Sequence, residues 1–81
     1  MRAVLTEPFA DNLIHAPAEV QRLFGKQLAY LLRDLRHPSL RAKKYDERRG
    51  LWQARINDDW RFYFTIDGDT YTLRGLTPHP K

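Results

Sequence analysis

Apolar and polar residues alternate on both sides of the triplet Asn57-Asp58-Asp59, with Trp52, Ala54 and Ile56 before it and Trp60, Phe62 and Phe64 after it. A period of two predicts two strands that bury one face, and the polar triplet predicts a three-residue hairpin loop. In that register Ile56 faces Trp60, Ala54 faces Phe62 and Trp52 faces Phe64. Arg55 then lies opposite Arg61 on the other face, where directly opposed like charges are destabilising. A second hairpin follows, turning at Asp67-Gly68 or at Gly68-Asp69. With the first turn Arg61 faces Arg74; with the second Tyr63 faces Arg74 and Arg61 sits diagonally from it. A slip of one residue would expose Trp60, Phe62 and Phe64, so the register is strongly specified.

Upstream the period changes. Ala3-Val4-Leu5 predicts a short strand, and Thr6-Glu7-Pro8 is a helix start with a capping hydroxyl, an early acid and an early proline. A short helix carries Phe9 and Leu13 and breaks at Ala16-Pro17. Val20, Leu23, Phe24, Leu28, Leu31, Leu32 and Leu35 then form the stripe of a second, amphipathic helix, which covers the apolar face of the hairpins. Pro38 stops it near Arg36-His37. The stretch 39–50, SLRAKKYDERRG, reads as a basic connecting segment, with Arg41, Lys43, Lys44, Arg48 and Arg49 around Tyr45. Pro78 and Pro80 close the last strand and hold His79 near its end.

At 81 residues the chain is expected to form one domain, 1–81, with 42% hydrophobic and 30% charged residues. It has no long apolar run of membrane-spanning length. The absence of cysteine removes disulfides and thiolate chemistry and fits a reducing cytoplasm. Three scattered histidines give no metal-ligand spacing, so neither a metal nor another cofactor is expected. A net charge of +4 points to an anionic partner, either nucleic acid or an acidic protein.

That charge gives the shared face of Arg55, Arg61 and Arg74 a meaning. Its other residues, Gln53, Tyr63, Thr65 and Thr72, supply no acid between the arginines. Solubilising charge is the ordinary role of such residues, but unrelieved repulsion favours a phosphate-rich ligand. Lys43 and Lys44 lead into this face from the basic segment. His79 has an imidazole suited to proton transfer near neutrality, whereas His15 and His37 lie at helix ends and are expected to be structural.

The order strand, short helix, long helix, basic loop, W-x-x-R-hydrophobic, turn, W-R-hydrophobic-aromatic-aromatic and late histidine resembles the toxins of the RelE/ParE superfamily of bacterial type II toxin–antitoxin systems. The run from Pro17 to His37-Pro38-Ser39-Leu40 is similar to that family's "P-x-x-V-Q… H-P-S-L" segment. The resemblance implies an α+β fold, two N-terminal helices packed on an antiparallel sheet of microbial ribonuclease type. It implies a metal-independent endoribonuclease that cleaves mRNA in the ribosomal A site and is neutralised by an acidic antitoxin. Arg61 would clamp the scissile phosphate, Arg55 would assist, and His79 would be the general acid. Arg41, Lys43 and Lys44 would bind substrate from the loop, while Arg74 is placed by the parity of the strands. Some relatives carry a carboxylate base near the position of Arg41; this chain has none there. Two further functions stay open: a ParE-like inhibitor of DNA gyrase, and a non-catalytic RNA- or ribosome-binding domain of the same fold.

Overall fold

The computed structural model of the chain describes residues 1–79; Pro80, the second of the closing prolines, and Lys81 lie outside the described residues. Among the described residues the order is β1 (Arg2–Leu5), α1 (Glu7–Ile14), α2 (Ala18–Arg33), β2 (Lys43–Asp46), β3 (Leu51–Arg55), β4 (Trp60–Asp67) and β5 (Thr70–Pro78), with 3-10 turns at Pro38–Leu40 and Glu47–Arg49. The strands form one sheet in the order β1-β5-β4-β3-β2. The fold is α+β, with both helices contributing buried residues to a core shared with β3, β4 and β5. None of the described helices is long and apolar enough to cross a membrane.

Strands β2 to β5 are antiparallel, as expected, and β1 joins β5 in parallel, so the sheet is mixed. Parallel neighbours need a long crossover, and both helices and three strands separate this pair in sequence. Thr6 locks the join. Its N–H and its Oγ1 both donate to Leu73 O, at 3.2 and 2.7 Å. The same Oγ1 accepts from Phe9 N at 3.4 Å and caps α1.

Helix α2 buries Val20, Phe24, Gln27 and Leu31, while Leu23, Leu28 and Leu32 flank this seam half-buried. Gln27 occupies the gap in the leucine stripe. The helix ends at Arg33, earlier than Pro38 alone predicts, because Asp34 is extended (φ −162°, ψ 109°) and its Oδ1 accepts from Arg36 N at 2.9 Å. Phe9, Phe24, Phe62 and Phe64 stack in a chain of ring contacts, with neighbouring centroids 5.1, 5.3 and 5.8 Å apart. Phe9, Phe62 and Phe64 are wholly excluded from solvent, as are Leu31, Leu40 and Leu73.

The pairing of β3 with β4 follows the expected register, Trp52 to Phe64, Ala54 to Phe62 and Arg55 to Arg61. The three-residue loop closes with Ile56 N donating to Trp60 O at 3.0 Å. The second hairpin turns at Gly68-Asp69, with Asp67 facing Thr70 and Gly68 at φ +61°. Neither expected partner of Arg74 is correct, because the ladder shifts by one residue between Tyr63 and Phe64: Phe64 pairs with Leu73, Tyr63 with Gly75 and Arg61 with Thr77. Arg74 is the extra residue of a β-bulge. Leu73 and Leu76 are three residues apart and both are buried, which an unbroken strand cannot arrange.

The basic segment is also more ordered than a loop. Lys43 pairs with Gln53 and Lys44 with Trp52, so 43–46 is the edge strand β2, with an irregularity at Tyr45. Charged, exposed residues of the KKYD type hide a strand from pattern reading and suit an edge that must not pair with other chains.

Candidate nucleic-acid interface

The sheet face opposite the helices is polar, and the expected basic residues divide there into two groups. At the tip of the β3–β4 hairpin, Arg55 and Arg61 are direct cross-strand partners, which sets their Cα atoms about 4.5–5.5 Å apart. An acid does relieve them, contrary to expectation. Asp58, in the loop between the strands, accepts from Arg55 Nη2 at 2.6 Å. Arg61 Nη1 donates to the carbonyls of Asn57 and Trp60, the latter at 3.0 Å, which fixes its guanidinium along the hairpin.

Arg41 belongs to the same group. It follows the 3-10 turn Pro38–Leu40 in a left-handed conformation (φ 46°, ψ 42°), unusual for a residue with a side chain. The hydrogen bond and charge of Arg55, then the charges of Arg41 and Arg61, hold the Asp58 carboxyl below its ordinary 3.8. One carboxylate therefore stands among three guanidinium groups.

His79 reaches this tip through the backbone, donating its N–H to Asp59 O at 2.7 Å. Its Nδ1 is buried and has no hydrogen-bond partner among the described residues; the same is true of Arg55 Nε. Arg55 Nε belongs to the Arg55–Arg61 pair, and His79 follows Pro78, the cross-strand partner of Trp60. Below them lies Gln27, only 2% exposed, whose Nε2 donates to Arg55 O at 2.7 Å and to Ser39 O at 3.1 Å, while its Oε1 accepts from Ser39 Oγ at 3.0 Å. This buried amide ties the strand bearing Arg55 to the turn that presents Arg41. Sequence reasoning passed over it, although a lone polar residue at the centre of an apolar stripe is its signal.

Arg74 and the two lysines lie elsewhere. Arg74 Nε donates to Thr65 Oγ1 at 3.2 Å, on the far side of Tyr63 from Arg61. There it joins Tyr45, Arg49, Tyr63 and Thr77 around an open cleft of about 600 Å³. The β2–β3 register sets Lys43 on this polar face beside Gln53 and Lys44 on the opposite face beside Trp52. Tyr45, Arg49 and Tyr63 were not singled out as site residues from sequence; an exposed tyrosine in a basic run was the available sign.

No protein-family model matches the chain, and neither does any curated protein sequence. Solved structures do. The YoeB/ParE toxin from Agrobacterium tumefaciens superposes with a TM-score of 0.80 at 16% identity, covering 99% of this chain and 100% of the other. RelE in the RelB–RelE antitoxin–toxin complex from Methanococcus jannaschii gives 0.77 at 17% identity, covering 93% and 88%. The YoeB–YefM toxin–antitoxin complex from Staphylococcus aureus gives 0.79 at 13% identity, covering 99% and 98%. The chain therefore has the fold of these toxins along almost its whole length.

Proposed function

We propose that this chain is a toxin of the RelE/ParE superfamily that cleaves mRNA in the ribosomal A site and is neutralised by an acidic antitoxin. The supporting observation is that one hairpin tip carries Arg55, Arg61 and Arg41 around Asp58, with His79 tied to its loop by a backbone bond, and that Arg55 Nε and His79 Nδ1 are buried without partners among the described residues. An unpaired buried donor or acceptor costs about 1–3 kcal/mol, and such groups call for a missing partner. A phosphodiester supplies oxygens for the guanidinium and a leaving oxygen for the imidazole.

In this reading the substrate's 2′-hydroxyl gives its proton to solvent water as its oxygen attacks the adjacent phosphorus, the P–O5′ bond breaks, O5′ is protonated, and a 2′,3′-cyclic phosphate and a 5′-hydroxyl result. Arg61, already fixed by its two carbonyl contacts, stabilises the charge that builds on the phosphoryl oxygens. Arg55 adds a second guanidinium once phosphate displaces Asp58. His79 donates the proton that O5′ takes. Asp58, held ionised by its arginines, is a weak base. Electrostatic stabilisation therefore carries most of the rate. The cytoplasm is the compartment this activity requires, and a net charge of +4 suits an acidic antitoxin; two of the similar structures are toxin–antitoxin complexes.

Mapping mRNA 5′ ends after induction tests the reading. Cuts within codons are expected, lost in Arg61→Ala and strongly reduced in His79→Ala. Growth arrest with intact mRNA and inhibited supercoiling would instead establish a gyrase poison, a target consistent with the ParE part of one neighbour's name.

A further inference from the structure

The cleft on the polar face lies outside the hairpin tip and has its own chemistry. Tyr45, at the irregularity of β2, is 57% exposed and stands edge-on to Tyr63, with ring centroids 5.1 Å apart and planes at 65°. Tyr63 is fixed from below, its hydroxyl accepting from Gln53 Nε2 at 3.0 Å. Gly75 pairs with Tyr63 across the bulge and places no side chain over its ring; a Cβ there would lie 4.0 Å from Tyr63 Cδ1. The bulge thus opens an aromatic floor. Arg74, tethered by Nε to Thr65, makes no salt bridge among the described residues, and Arg49 is paired only with Asp46, at 3.2 Å. A cleft of about 600 Å³ is within the range of about 300–1,000 Å³ for small-ligand sites.

We infer that this cleft is a nucleobase subsite: it takes one unpaired base of an RNA chain, stacked on Tyr45 with Tyr63 against the edge of the base, and with Arg49 and Arg74 on the flanking phosphates. The inference rests on the nuclease reading for its substrate class. Two observations favour RNA over a protein side chain. Aromatic rings between guanidinium groups are the arrangement that binds single-stranded nucleic acid. The cleft also adjoins the phosphate-binding tip, because Tyr63 is two residues along β4 from Arg61, about 7 Å away, and Thr77 of the cleft wall is Arg61's cross-strand partner. A strand whose phosphate lies on Arg61 passes directly over Tyr63.

The test uses 2′-O-methyl RNA hexamers, which cannot be cut, carrying the fluorescent base 2-aminopurine at one position or an abasic sugar there. Binding to the full chain is expected to quench the fluorophore. Tyr45→Leu, which removes the ring at an exposed position, and Gly75→Leu, which fills the cleft, are each expected to weaken binding at least about fivefold and to abolish the quenching. The abasic hexamer is expected to bind the wild type and both variants alike. Thermal melting identifies the folded variants. If the folded variants bind and quench as the wild type does, the subsite is wrong. If they keep RNA binding but lose an acidic protein partner, the cleft is a protein-docking site and the inference is likewise overturned. Quenching by a protein that never cuts RNA would sink the nuclease reading and leave the cleft; cutting that depends on Arg61 but shows no dependence on Tyr45 would do the reverse.

Discussion

Arg55 Nη2 lies 2.6 Å from Asp58 Oδ1, so the hairpin carries its own anion on one of the two guanidinium groups assigned to phosphate. The carboxylate lowers the repulsion between Arg55 and Arg61, and in the proposed function an RNA phosphate has to displace it. Asp58→Asn should therefore bind a 2′-O-methyl RNA oligonucleotide severalfold more tightly than the wild type at neutral pH, measured by fluorescence anisotropy.

The same pair has an acid limb. Because the Asp58 carboxyl is held below 3.8 in the folded protein, its contribution to stability is complete above the unfolded value and is lost as pH falls through the folded one. Urea midpoints between pH 5 and pH 2 should fall less steeply for Asp58→Asn than for the wild type. Equal slopes would mean that the Arg55 pair does not persist in solution.

Gln27→Leu keeps the bulk of the residue but strands the carbonyls of Arg55 and Ser39 and the Ser39 hydroxyl. A loss of about 3 kcal/mol is expected, since each buried polar group left unpaired costs about 1–3 kcal/mol. Denaturant unfolding measures it, and an unchanged midpoint would exclude the buried amide as the tie between α2 and the hairpin tip.

Deleting Gly75 would restore a regular alternation, Leu73-Arg74-Leu76, that sets Arg74 opposite Tyr63 and keeps Leu76 opposite Phe62 in the core. Because no apolar side chain leaves the core, the expected loss is below the roughly 2–3 kcal/mol that exposing a leucine would cost. Gly75→Ala adds a methyl at ordinary contact distance and should change stability by less than about 1 kcal/mol. Thermal melting of the two variants side by side separates a register effect from a simple glycine effect.

Thr6→Val removes both the cap of α1 and the side-chain bond to Leu73 O. A loss of about 1–2 kcal/mol is expected. Hydrogen exchange of the β1 amides should rise before that of β3 and β4, because the bond spans the β1–β5 junction.

The central hairpin was legible because its apolar residues are large and alternate without interruption, so one register alone buries Trp52, Phe62 and Phe64. The helices were legible for the same reason at a different period, and Thr6 announced its cap. The bulge was not legible: two turn types fit Asp67-Gly68-Asp69, and the three-residue gap between Leu73 and Leu76 was the overlooked clue. Strand β2 was hidden because an edge strand of charged residues has no buried face to show in its pattern. In the candidate site, the face shared by Arg55 and Arg61 followed from parity alone. The placement of Arg41 beside them depends on the left-handed turn and on Gln27, which no periodicity reveals. Arg74 was displaced by the bulge from the tip to the cleft.

The bond from Thr6 to Leu73 also sets a schedule. Partners 67 positions apart in sequence cannot meet until every residue between them has been made, and contacts of such long range make folding slow. During synthesis β1 and α1 leave the ribosome long before β5 exists to receive them. The backbone bond from His79 to Asp59 O closes the hairpin tip at the same late stage. The face proposed to hold RNA is therefore completed after the two helices and the first four strands have been made.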